Sequence, residues 1–125
     1  MFFVCFALLG LMACSTKPKD NFPNISADEF EELIMDENVQ CLDVRTLAEF
    51  GEGHIPGSSN INVNDSSFAG MADDLLVKEN PVAVYCKSGR RSRKAASILQ
   101  KKGFKVYNLD KGFLNWKELG KPIEK

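Results

Sequence analysis

The run Pro81-Val82-Ala83-Val84-Tyr85-Cys86 constrains this chain more than any other stretch. Uncharged residues rich in β-branched and aromatic side chains follow one another here without a polar break. They predict a strand over residues 82–85 that is too apolar to leave either face in water. Strands of this kind belong to parallel sheets, which are covered on both faces and join strand to strand through helices. The remaining sequence alternates accordingly. Apolar runs over residues 39–44, 61–63 and 105–109 read as further strands. Helical spacing predicts helices over 27–35, 67–77, 92–102 and 112–119, with a brief one over 46–50. Ser26 and Glu29 form a capping box at the start of the first, and Gly103 ends the fourth. The expected fold is one α/β domain, a central parallel sheet of about five short strands with helices on both faces.

In such sheets ligands bind beyond the carboxyl ends of the strands. Asp43, Arg45 and Cys86 all fall there. Cys86 terminates its strand, and the turn Lys87-Ser88-Gly89-Arg90-Arg91 leads into the helix expected to start near Ser92. A loop of this length can curl its amides around the sulfur, with Gly89 permitting the backbone angles and the helix dipole adding positive potential. Lys87, Arg90, Arg91 and Arg93 raise the local field further. Each effect favours thiolate over thiol, so Cys86 is expected to be an activated nucleophile.

Sixteen basic residues face seventeen acidic ones, a net charge of −1, which gives no general basic surface for nucleic acid. The cysteines are Cys5, Cys14, Cys41 and Cys86, and the single histidine is His54. Their spacing fits no zinc pattern, so no metal is expected. Cys41 lies early in its strand, offset from Cys86 by more than disulfide reach, and is read as core packing.

Residues 1–13 are almost wholly apolar and uncharged, then break into Ser15-Thr16-Lys17-Pro18-Lys19-Asp20. The span is shorter than the ~20 residues a membrane helix needs and fits the core of a signal peptide. Leu11-Met12-Ala13-Cys14 resembles the bacterial lipobox, which implies a diacylglycerol on the thiol of Cys14. The domain organisation expected is a signal peptide at 1–13, a lipidated N-terminus and tether at 14–22, and the folded domain at 23–125. That places the domain at a bacterial cell envelope, in the periplasm or at the cell surface, with the membrane as partner through the lipid and the protein a monomer.

Four segments, in order, resemble the rhodanese family: Leu42-Asp43-Val44-Arg45 with Glu49; Gly53-His54-Ile55-Pro56-Gly57-Ser58; the loop Cys86 to Arg91 with Ser92; and Leu109-Asp110-Lys111-Gly112 with Trp116. Lys111 departs from the pattern, standing where a first glycine is common. The resemblance implies sulfur transfer without metal or cofactor. Cys86 would take sulfur from a small donor such as thiosulfate, hold it as a persulfide among the amides of Lys87, Ser88, Gly89, Arg90 and Arg91, and pass it to a thiol or to cyanide. Arg90 and Arg91 would steer and hold the anionic donor. Asp43, Arg45 and Ser92 are expected to support the loop, His54 to be structural, and Phe113 and Trp116 to be core.

Two other readings use the same residues. A cysteine-dependent phosphatase or arsenate reductase also holds an anion over a thiolate, but typically needs arginine after five intervening residues, where this chain has Ser92. A binding module without catalysis would use the fold for protein contacts, and the intact Cys86 argues against it.

Overall fold

The computed structural model describes residues 21–125; the expected signal peptide, Cys14 and residues 15–20 of the tether lie outside the described residues. Among the described residues ten elements alternate: β1 (Asn24–Ile25), α1 (Ala27–Ile34), β2 (Gln40–Asp43), α2 (Leu47–Glu52), β3 (Ser59–Asn60), α3 (Phe68–Leu75), β4 (Val82–Tyr85), α4 (Arg90–Lys101), β5 (Val106–Leu109) and α5 (Gly112–Glu118). The five strands form one sheet in the order β1-β5-β4-β2-β3. Every pairing is parallel.

Strand β4 occupies the middle because all four of its residues are buried. Successive side chains alternate between faces. Val82, Val84 and Cys86 join Leu42, Val44 and Val106 on one face, under Phe68 and Ala72 of α3 and Ala95, Ala96 and Leu99 of α4. Ala83 and Tyr85 lie on the other, with Phe30 of α1 and Phe113 and Trp116 of α5. Phe30 meets Tyr85 and Trp116 edge-on, with ring centroids 6.2 and 6.1 Å apart, the arrangement that aromatic quadrupoles prefer. Phe113 and Trp116 are core, as expected.

Most bounds shift by one or two residues from the sequence expectation, and three differences shape the fold. The third strand is Ser59–Asn60 rather than 61–63. There the Asn60 side-chain amide donates to the carbonyls of Asp43 and Arg45 at 3.0 and 2.9 Å. The Ile61 and Val63 amides still donate to the carbonyls of Asp43 and Val44 at 3.0 and 3.1 Å, so backbone pairing with β2 runs on past the strand itself. The fourth helix begins at Arg90, two residues before the expected Ser92, because Gly89 turns the chain in the left-handed region at φ 101°. Strand β1 carries no periodic signal and exists through its pairing with β5.

Candidate functional site

The site is assembled at the carboxyl end of β4. Cys86 follows the strand directly and is 1% exposed. The Gly89 amide donates to its Sγ at 3.1 Å. After Gly89 the chain enters α4 at once, so Arg90, Arg91 and Ser92 form the helix's first turn. Their amides belong to the set that a helix leaves without intrahelical acceptors.

The loop is held from behind by α5. Phe113 N–H donates to the Cys86 carbonyl at 2.8 Å, and Leu114 N–H to the Lys87 carbonyl at 3.1 Å. In a trans peptide the next N–H points opposite to its carbonyl. Tying these two carbonyls to α5 therefore turns the Lys87 and Ser88 amides away from α5. The contact is so close that only glycine fits. A Cβ on Gly112 would lie 2.3 Å from the Lys87 oxygen, and one on Gly89 would lie 2.1 Å from the Asp110 oxygen. Both glycines also have positive φ. Lys111, by contrast, has φ −103° and is exposed. The turn needs no glycine there.

The ionic groups are arranged in two tiers. Asp43 and Arg45 form a buried pair, Nη2 to Oδ2 at 2.6 Å, and the same Nη2 donates to the Gly53 carbonyl at 2.7 Å. The guanidinium lies 4.4 Å from the Phe113 ring centroid. Burial works against the Arg45 charge, but the hydrogen bond and charge of Asp43 outweigh it and hold the guanidinium firmly protonated. The pair ties the end of β2 to the 53–58 loop and to α5, a brace. Above it, Arg91 is clasped by Glu49 through two bonds of 2.8 and 3.0 Å. Thr46 holds Glu49 in turn by a reciprocal capping box at the start of α2. Chiefly because of Arg91, the Glu49 carboxyl is lowered to about 2. The expectation that Arg91 holds an anionic donor has to accommodate this pairing. Arg91 brings positive charge to Cys86 while its fork is already engaged.

Lys87, Ser88 and Arg90 are exposed. Among the described residues neither Lys87 nor Arg90 has a carboxylate partner. Ser92 is fully buried on α4, and its hydroxyl has no hydrogen-bond partner among the described residues. His54 lies with other partners: Nδ1 is 2.8 Å from the Phe50 carbonyl, its ring stacks on Phe50 at 3.7 Å, and Nε2 is 3.3 Å from Glu124. No group of His, Cys, Asp and Glu among the described residues has metal-ligating geometry.

A model of the rhodanese-like domain matches residues 26–119. The chain belongs to the rhodanese-like family. Its relatives include thiosulfate sulfurtransferase GlpE of Shewanella oneidensis, 36% identical over 100 residues that cover 78% of this chain and 95% of that protein. A protein of Allochromatium vinosum named sulfurtransferase is 31% identical over 101 residues, covering 79% of this chain and 92% of its own. Among solved structures, a rhodanese-related protein from Thermoplasma volcanium superposes with a TM-score of 0.72 at 29% identity, over 82% of this chain and 98% of that one.

Three supports of this rhodanese-like site went unread in the sequence. Thr46-Leu47-Ala48-Glu49 has the capping-box spacing, which was the available signal for a fixed Glu49. Tyr85 accepts the Ile55 amide at 3.0 Å and meets Ser58 Oγ at 3.1 Å, anchoring the 53–58 loop under the site. Burial, with the Asp43 charge added, pushes its phenol well above the usual range, so the hydroxyl stays neutral. The contact of Gly112 with Lys87 had no local signal at all.

Proposed function

We propose that this rhodanese-like protein is a sulfurtransferase that carries sulfane sulfur on Cys86, from a thiosulfate-like donor to a thiol or cyanide. The observation that carries this reading is the Cys86 sulfur under the Gly89 amide, at the end of a buried strand and ahead of the first turn of α4. The names of the relatives support the reaction class.

In the first step the Cys86 thiolate attacks the outer sulfur of thiosulfate. The S–S bond of the donor breaks, its electron pair leaves with sulfite, and Cys86 becomes a persulfide. In the second step an acceptor thiolate attacks the outer sulfur. The persulfide bond breaks with its pair on Cys86 Sγ, and the acceptor leaves as its own persulfide. No electrons are gained or lost overall, so neither step calls for a redox partner or a metal. The two half-reactions share one site and predict ping-pong kinetics. Exposed Lys87 and Arg90 supply the field that draws a dianionic donor in. Amides of the loop and of the first helical turn then hold the bound sulfur.

Peptide mass mapping after thiosulfate treatment tests the reading. Added sulfur on Cys86, and none on Cys41, is expected. Sulfur on Cys41, or sulfite release that persists in Cys86→Ser, would overturn it. Hydrolysis of para-nitrophenyl phosphate, dependent on Cys86 and faster than sulfur transfer, would put a phosphatase in its place.

The envelope location is part of the proposal and rests on the apolar run 1–13 and on Leu11-Met12-Ala13-Cys14 at its end. Detergent partitioning that Cys14→Ala abolishes is the expected outcome.

A further inference from the structure

Arg91 closes the loop that begins at Cys86, and its guanidinium is already gripped. Glu49 Oε1 accepts from Nη1 and Oε2 from Nη2, so both ends of the fork face one carboxylate. That carboxylate is itself fixed. Its Oε1 also accepts the Thr46 amide at 3.0 Å and the Thr46 hydroxyl at 3.1 Å, while Thr46 Oγ1 accepts the Glu49 amide at 3.1 Å. The side chains of Arg91 and Glu49 are 26% and 28% exposed, so solvent screens the pair only in part. Arg91 is near enough to Cys86 for the two charges to interact. Lys87 and Arg90 are the contrast: both are exposed, and neither has a carboxylate partner among the described residues. They attract an anion by their field, without a fixed fork to hold it.

A planar guanidinium fork suits two oxygens of a tetrahedral oxyanion as well as it suits a carboxylate. Phosphate and sulfate have only oxygens to offer such a site. Thiosulfate differs, because its outer sulfur can be delivered to Cys86. We infer that Glu49 sets the specificity of the site: by filling the Arg91 fork it keeps free tetrahedral oxyanions from competing with the sulfur donor. The inference rests on the sulfurtransferase reading and adds to it the class of anion that the site turns away. Glu49 acts through Arg91, as a positioning residue, and its removal predicts a gain. Glu49→Gln keeps an oxygen for Thr46 and offers Arg91 an amide group in place of the second oxygen. One Nη group then lacks an acceptor, and the positive charge beside Cys86 is no longer cancelled. Both changes favour a bound dianion and the Cys86 thiolate. A distorted loop would bind anions less well, so a gain separates this role from a structural one.

The test uses the full chain, with sulfite release from thiosulfate as the assay, cyanide as acceptor and inorganic phosphate as the competing anion. In Glu49→Gln the inhibition constant of phosphate should fall about tenfold, and iodoacetamide should modify Cys86 several times faster near neutral pH. Glu49→Asp, shorter by a methylene but still charged, should show a smaller change in the same direction. Adding Arg91→Ala to Glu49→Gln should abolish both gains. Asp73→Asn is the control, since it unpairs Lys102 at the other end of α4. At ~1.5 Å per residue that end lies ~18 Å from the first turn, beyond the ~8 Å screening length of physiological salt. Phosphate inhibition should there stay within about twofold of the wild type. Inhibition that does not strengthen in Glu49→Gln and Glu49→Asp, or a gain that survives the loss of Arg91, overturns the role of Glu49 and leaves the sulfurtransferase standing. A wild type without Cys86-dependent sulfite release overturns the sulfurtransferase, and phosphate protection of Cys86 against iodoacetamide then decides the role of Glu49 by itself.

Discussion

Two thiols lie in neighbouring parallel strands of one sheet, and their surroundings could hardly differ more. Cys41 is level with Ala83 in the ladder, three residues short of Cys86. At ~3.3 Å per residue that offset alone keeps the two from bonding, and both are free. They also face opposite ways. Cys86 packs with the α3 and α4 layer, and Cys41 against the α1 and α5 layer. Around Cys41, burial and then the charge of Asp43 push the thiol well above its usual range. Around Cys86, the amide of Gly89, the residue that precedes α4, meets the sulfur, and Arg91 adds charge. Burial by itself silences a thiol. What separates the two surroundings is the Gly89 N–H and the Arg91 charge at Cys86, and the proposal of Cys86 as nucleophile rests on that difference.

The largest effect should come from exchanging the two thiols for hydroxyls in turn. Cys86→Ser should cut thiosulfate–cyanide turnover by about 10³-fold or more, since the covalent route is lost. Cys41→Ser should leave it within about threefold. Steady-state rates on both variants decide this, and comparable losses in the two would erase the distinction drawn between them.

Next comes the support behind the loop. Gly112→Ala places a methyl group against the Lys87 carbonyl and the Ser88 amide. The loop has to move, at a cost of at least ~2 kcal/mol in stability. Urea midpoints together with iodoacetamide rates should show a less stable protein whose Cys86 reacts more slowly. An unchanged alkylation rate would mean that the loop keeps its shape without α5.

Removing charge should matter less than moving the loop. Replacing Arg90 and Arg91 together by Ala should raise the thiosulfate KM about tenfold and slow alkylation of Cys86 near neutral pH. If KM and the alkylation profile both stay put, amides alone set the reactivity of Cys86.

The smallest effect concerns Glu49, and its sign follows from the depressed carboxyl. The native value of about 2 lies below the unfolded value, so the unfolded chain binds the proton first as pH falls. The clasp on Arg91 therefore stabilises fully above the ordinary carboxylate value of ~4.3. Its contribution fades as pH falls towards about 2. Glu49→Gln should cost about 1 kcal/mol at pH 7. Its urea midpoint should also fall less than that of the wild type between pH 5 and pH 3. Parallel acid slopes in the two proteins would show that the clasp contributes nothing to stability.

What the sequence determined by itself was whatever depends on neighbours along the chain. The apolar run 82–85, the Ser26 capping box and the stop at Gly103 are local, and each predicts its element because propensity, pattern and capping act over a few residues. A cysteine after a buried strand and before a glycine turn and a basic helix is local as well, so Cys86 could be singled out. The tertiary structure decided whatever depends on residues far apart in sequence. Strand β1 exists only through its ladder to β5, and the Asn60 side chain reaches the carbonyls of Asp43 and Arg45, far from it in sequence. The Glu49 clasp on Arg91 spans 42 positions. The approach of Gly112 to Lys87 arises because α5 packs behind the loop. Which face of the sheet Cys41 occupies likewise follows from register and from the helices that cover each side. Hydrogen bonds and close backbone contacts act over a few ångströms of space, and until the sheet is ordered nothing in the chain states which distant residues that space will hold.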